Sequence, residues 1–143
     1  MKTITFTSPA WDYILMQAIK DFPHETCGFF FGFEEEDRRC ITQAMAVKNA
    51  SIENKERRFS INSQDYIRAE KFALQNHTTL LGIYHSHPNH PAHPSLHDLN
   101  NALPFFSYLI VSVYDKIFHQ ATCWRLNEEG ERSFHEEELI LPS

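Results

Sequence analysis

A chain of 143 residues, 42% hydrophobic and 22% charged, has the size of one domain spanning 1–143 and enough apolar material for a core, which argues against both a second domain and wholesale disorder. The formal charge of −6 offers no basic face for phosphate contacts, so nucleic acid is not an expected partner. No apolar run approaches the roughly 20 residues of a spanning helix, and Met1–Phe6 lacks the apolar stretch of a signal peptide, so a cytoplasmic protein without a membrane partner is expected.

Ser8 reads as a helix N-cap, with Pro9 in the first helical position, where its missing N–H costs nothing. Trp11, Ile14, Leu15, Ala18 and Ile19 recur at helical spacing, and Pro23 ends the helix. Cys27–Phe33 is a short aromatic run and reads as a buried strand. The charged stretch 34–39 reads as a turn, and Cys40–Lys48 as the returning strand. Residues 49–58 are polar and aperiodic, a loop that could gate a site, followed by a short strand over Phe59–Asn62. Ser63 caps a helix over 64–76, with Tyr66, Ile67, Phe72 and Ala73 facing inward. Thr79–Tyr84 and Phe105–Tyr114 read as strong strands, and Gln120–Leu126 and Ser133–Ile140 as a closing pair joined at Glu129-Gly130. Strands and helices alternate irregularly, which predicts an α/β class: a mixed β-sheet flanked by helices.

Cys27, Cys40 and Cys123 are scattered and odd in number, so they make no disulfide framework and read as small buried apolar residues. Five of the nine histidines, His85, His87, His90, His93 and His97, crowd one segment.

That segment carries His85-Ser86-His87-Pro88, six residues, then Ser95-Leu96-His97-Asp98, or HxHPx6SxxD. Histidines at i and i+2 of a strand point to one side and can bind one cation together. Pro88 ends the strand, a helix begins near Ser95, and Asp98 in its first turn can supply a third ligand. Two imidazoles and a carboxylate suit zinc, one per chain, and three protein ligands leave the fourth position open, as in catalytic sites. Hydrolysis then needs a carboxylate base that is not itself a ligand, and Glu25, just before the aromatic strand, is the best candidate. Ser95 and Asp98 also form a helix-capping pattern, which is compatible with a ligand role. His90, His93 and His97 read as loop or helix-surface side chains, with support of the ligands or capture of surplus metal as the alternative.

At these residues the chain resembles the JAMM, or MPN-plus, metalloprotease family, whose pattern is an upstream glutamate followed by HxHPx6SxxD. The resemblance runs from the first helix to about Tyr114 and includes Glu25-Thr26-Cys27-Gly28. It implies a JAMM/MPN fold similar to cytidine deaminases. It further implies that His85, His87 and Asp98 bind zinc, that Glu25 is general base and acid, and that Ser95 holds the oxyanion. The run HSHPNHPAHPS is similar to stand-alone prokaryotic members that process ubiquitin-like sulfur-carrier proteins ending in Gly-Gly, for example by releasing cysteine or a C-terminal extension. Asn49 and Arg58-Phe59 sit where those relatives carry an Asn and an Arg-Phe pair, which implies substrate binding by Asn49 and Arg58; His93 stands where many of them carry Arg. The function this implies is a zinc isopeptidase. The alternatives are a non-catalytic binding module and a DNA-repair-associated relative that shares the metal motif but reads HNHPSG where this chain reads HSHPNH. A nucleoside deaminase would need HxE and PCxxC, and neither occurs.

Overall fold

The computed structural model describes residues 1–52, 54–56 and 58–143, so positions 53 and 57 of the 49–58 loop lie outside the described residues. Among the described residues, seven strands and three helices follow in the order β1 (Thr3–Phe6), α1 (Ser8–Asp21), β2 (Cys27–Glu35), β3 (Arg38–Val47), α2 (Ser63–Gln75), β4 (Thr79–Pro88), α3 (Leu96–Asn101), β5 (Ser107–Tyr114), β6 (Ile117–Leu126) and β7 (Phe134–Ile140). The strands close into a barrel in the order β1-β3-β2-β4-β5-β6-β7.

This closure corrects the expected helix-flanked mixed sheet on the cytidine-deaminase-like plan. Among the described residues strands outnumber helices, and the sheet closes on itself without a free edge. The physical cause is β1. Thr3–Phe6 runs parallel to Arg38–Ile41 of β3, and Thr3–Thr5 also runs parallel to Glu138–Ile140 of β7. One four-residue strand thereby satisfies both outer edges, and its alternating burial places Ile4 and Phe6 in the core.

Two apolar clusters form. Ile4, Phe6, Phe30, Leu81, Tyr84 and Leu109 pack with Ala10, Trp11, Ile14 and Ala18 of α1. Phe29, Phe31, Leu80 and Ile83 pack with Ala69 and Ala73 of α2. Burial of β2 on both faces explains why its sequence is a continuous apolar run rather than an alternating one. Gly82 allows the tight approach of β4 and β5, because a Cβ there would lie 2.1 Å from the Ser107 carbonyl oxygen.

Several boundaries differ from the sequence expectations. The cap of α1 is Thr7, whose carbonyl accepts from Trp11 N (2.9 Å), one residue before the expected Ser8. Asn62 rather than Ser63 caps α2, accepting from Gln64 N, and 59–62 is not a strand. Ile67 is 58% exposed, and Ala69 takes the inward position instead. Cys27 and Cys123 are buried, but Cys40 is exposed. No helix among the described residues is long and apolar enough to cross a membrane.

Truncating Ile4 removes a fully buried side chain from the strand that closes the barrel. Ile4→Ala should therefore cost about 2–5 kcal/mol in denaturant unfolding. The exposed Ile67→Ala should stay within about 0.5 kcal/mol of the parent. Equal losses would contradict this burial order.

Candidate metal centre

The site grows from the C-terminal end of β4. Ile83, His85 and His87 follow one another at i, i+2 along this strand, so the apolar face that packs on α2 passes directly into two imidazoles. Both are buried, at 1% and 2% exposure. Ser86 faces the other way, and its Oγ accepts the Thr26 N–H at 2.8 Å.

Helix α3 brings the carboxylate. Ser95 caps it in a complete capping box: Ser95 Oγ accepts from Asp98 N (3.0 Å), and Asp98 Oδ2 accepts from Ser95 N (2.8 Å). Arg132 holds the other end of this short helix, donating from Nε to the Leu99 carbonyl (2.9 Å) and from its guanidinium to the Ala102 carbonyl. Asp98 is thus aimed by contacts at both ends of its helix.

The three donors converge. His85 Nε2 and His87 Nε2 are 3.1 Å apart, and Asp98 Oδ2 lies 3.3 Å from the first and 3.4 Å from the second. A tetrahedron with metal–ligand arms of about 2.0–2.2 Å has edges of about 3.3–3.6 Å, so this triangle is close to one face of a zinc coordination sphere. The ligand nitrogen of His87 is prepared by its other side: Nδ1 faces the Pro91 carbonyl at 2.8 Å, which places the ring proton there and leaves the Nε2 lone pair free. Burial alone would raise the Asp98 carboxyl. The imidazoles of His85 and His87 and the Ser95 N–H outweigh it and hold this group well below the usual carboxylate range.

Glu25 reaches the same place by strand register. Cys27 pairs with His85 across β2 and β4, and Ser86 N donates to the Thr26 carbonyl, so the residue two before Cys27 comes opposite His87. Glu25 is 3% exposed, and its carboxylate, His87 and His90 bring ligand atoms within 4.8 Å of one another. Next door, burial first, then the charges of Glu25 and Asp21, push the Cys27 thiol up to about 12. It is protonated at neutral pH and is not a nucleophile.

A cleft of about 530 Å³ opens onto His85 and Asp98, walled by 50–52, Arg58–Ile61, Tyr66, His97, Asn101 and Tyr108. Arg58 is therefore at the site. Asn49 is placed differently, inside the loop: Nδ2 donates to the Glu25 and Arg58 carbonyls (3.3 and 3.0 Å), and Oδ1 accepts from Ser51 N and Ser60 N (3.0 and 3.1 Å). Its amide ties the two arms of the loop to the backbone of Glu25. Ser95 is exposed at the mouth of α3, and His93 is exposed on the connecting loop.

Two further rings flank the histidines: Phe59, for which the sequence suggests no site role, and His90, for which it suggests one only as the alternative to a loop side chain. The Phe59 ring stacks on His85 at 4.5 Å and 23°, and the His90 ring stacks on His87 at 4.1 Å and 12°. The signal available for His90 was its position between Pro88 and Pro91, which restrict the loop around it.

The chain is similar in structure to a protein from Desulfitobacterium hafniense, with a TM-score of 0.84 and 29% identity over 98% of this chain and 93% of that one. A protein from Salinibacter ruber gives a TM-score of 0.72 and 34% identity over 99% and 92%. No curated protein matches the chain. The family model of prokaryotic homologs of the JAB domain matches residues 7–127, a stretch that holds Glu25, His85, His87, Ser95 and Asp98 together. The chain belongs to this JAB/MPN family.

Proposed function

We propose that this protein is a zinc metallopeptidase of the JAMM type that hydrolyses the amide bond after the C-terminal Gly-Gly of a ubiquitin-like sulfur-carrier protein, releasing cysteine or a C-terminal extension. The observation that carries the reading is the triangle of His85, His87 and Asp98, with edges of 3.1–3.4 Å and Glu25 buried beside it. The donor set, two imidazoles and one carboxylate, is that of a catalytic zinc site, in which the fourth position is left to solvent.

Zinc held by His85, His87 and Asp98 would lower the pKa of a water toward about 7 and polarise the scissile carbonyl. Glu25 takes a proton from the attacking water and gives it to the leaving amine as the C–N bond breaks. Its burial supports this role, because a carboxylate shielded from bulk water exchanges protons with the reacting groups rather than with solvent. The Ser95 oxygen is engaged with the Asp98 N–H, which leaves its hydroxyl hydrogen to donate to the carbonyl oxygen as charge grows there. Donors of this kind contribute about 2.7–4 kcal/mol to the transition state.

The cleft supplies the specificity argument. Phe59, Tyr66 and Tyr108 line it, and residues 50–52 and 58–61 form one wall, which favours a tail without side chains between them. Arg58 on that wall offers a fork for a substrate carboxylate, such as that of a leaving cysteine. Asn49 contributes by holding the wall in place.

His85→Ala should lose the bound zinc, read by metal analysis after dialysis. Glu25→Gln keeps the shape of the side chain and should retain the zinc while losing cleavage by about 10²-fold or more. Normal turnover in that variant would reassign the base. Replacing the two tail glycines of a carrier with bulky residues should abolish release of the C-terminal group, read by mass; equal cleavage would refute the narrow-groove reading.

A further inference from the structure

Beyond the three-ligand centre, the chain brings a second set of donors together. Ligand atoms of Glu25, His87 and His90 lie within 4.8 Å of one another. The His90 ring lies nearly parallel to that of His87, 12° off, with centroids 4.1 Å apart.

His90 is held there by its backbone rather than by chance packing. Its carbonyl accepts the Ser112 hydroxyl at 2.7 Å, the preceding Asn89 takes a positive φ of 58°, and Asn89 N donates to Val113 O at 2.7 Å. Thr122 Oγ1 donates to the Ala92 carbonyl at 2.6 Å and fixes the far side of the turn. The loop is therefore anchored to β5 and β6 on both sides of His90.

We propose that Glu25 and His90 form a second divalent-cation site, filled only when zinc is in excess, and that filling it switches the hydrolase off. The proposal rests on the reading of His85, His87 and Asp98 as the first site, because His87 is then already committed. Glu25 and His90 supply only two donors, with solvent completing the shell, so this site is the weaker of the two. A cation there ties up the Glu25 carboxylate and lowers its basicity, so that it no longer takes a proton from the attacking water. Imidazole and carboxylate are both good zinc ligands, and zinc is the probe of choice.

The test compares the parent protein with His90→Phe, which keeps a ring stacked on His87 but removes the ligand nitrogen, and with His90→Ala as a second variant. Zinc binding is followed by equilibrium dialysis with metal analysis, and cleavage is followed over the same zinc series. The parent should bind one zinc tightly and a second at least tenfold more weakly, with cleavage falling as the second binds. His90→Phe should bind one zinc, cleave normally at low zinc, and need at least tenfold more zinc for inhibition. A parent that binds one zinc and cleaves undiminished in excess metal would overturn the second site, as would a His90→Phe variant that binds and is inhibited like the parent. Failure of all three proteins to hold even one zinc would instead overturn the first-site reading, and this proposal with it.

Discussion

Two imidazoles and two carboxylates are withdrawn from water at one end of β4, and the rest of the structure is arranged around that cost. Polar groups buried without partners cost several kcal/mol, and a buried charge costs more. Here the donors are turned toward one another: His85 and His87 face Asp98 at 3.3 and 3.4 Å, Pro91 accepts from His87, and the Ser95 N–H meets Asp98. Side chains gathered in this way, with ring nitrogens only 3.1 Å apart, are best satisfied by a cation between them. The local geometry and the chemistry therefore have the same cause.

The scaffold delivers each group by a different route. Strand periodicity sets the two imidazoles on one face of β4, and parallel pairing with β5, His85 opposite Ile110 and His87 opposite Ser112, holds that strand inside the barrel. A capping box and the Arg132 guanidinium set the six-residue α3, too short to be stable alone. Antiparallel register between β2 and β4 brings in Glu25 from sixty residues away. Closure by β1 removes the sheet's edges, so the frame that carries these routes has no open end to slip. The aromatic stacks of Phe59 on His85 and His90 on His87 then limit how far either imidazole can turn.

Legibility in the sequence followed the range of the interaction. His85, His87 and Asp98 could be read because strand spacing and a helix cap are local rules, and the structure brings these three together. Ser95 and Asp98 read equally as a cap and as site residues, and the capping box shows why no choice was needed: the bonds that start the helix also aim the carboxylate. Helix α1 and the aromatic β2 were legible because their apolar patterns are long. Barrel closure was not, since Thr3–Phe6 spans four residues and its two partners, β3 and β7, lie far along the chain. Asn49 illustrates another limit: its residue type is compatible with a substrate contact, whereas its position in space makes it a tie between loop backbone groups. His90 read first as a loop side chain, with ligand support or capture of surplus metal as the alternative, and the fold is what sets it against Glu25 and His87.

X-ray absorption at the zinc edge of the zinc-loaded protein tests the central claim most directly. At one zinc per chain, the ion should have two imidazole nitrogens and two oxygens at about 2.0–2.2 Å, one oxygen from Asp98 and one from solvent. A sulfur neighbour at about 2.3 Å, or a third imidazole in place of the solvent, would close the position that hydrolysis requires and contradict the account.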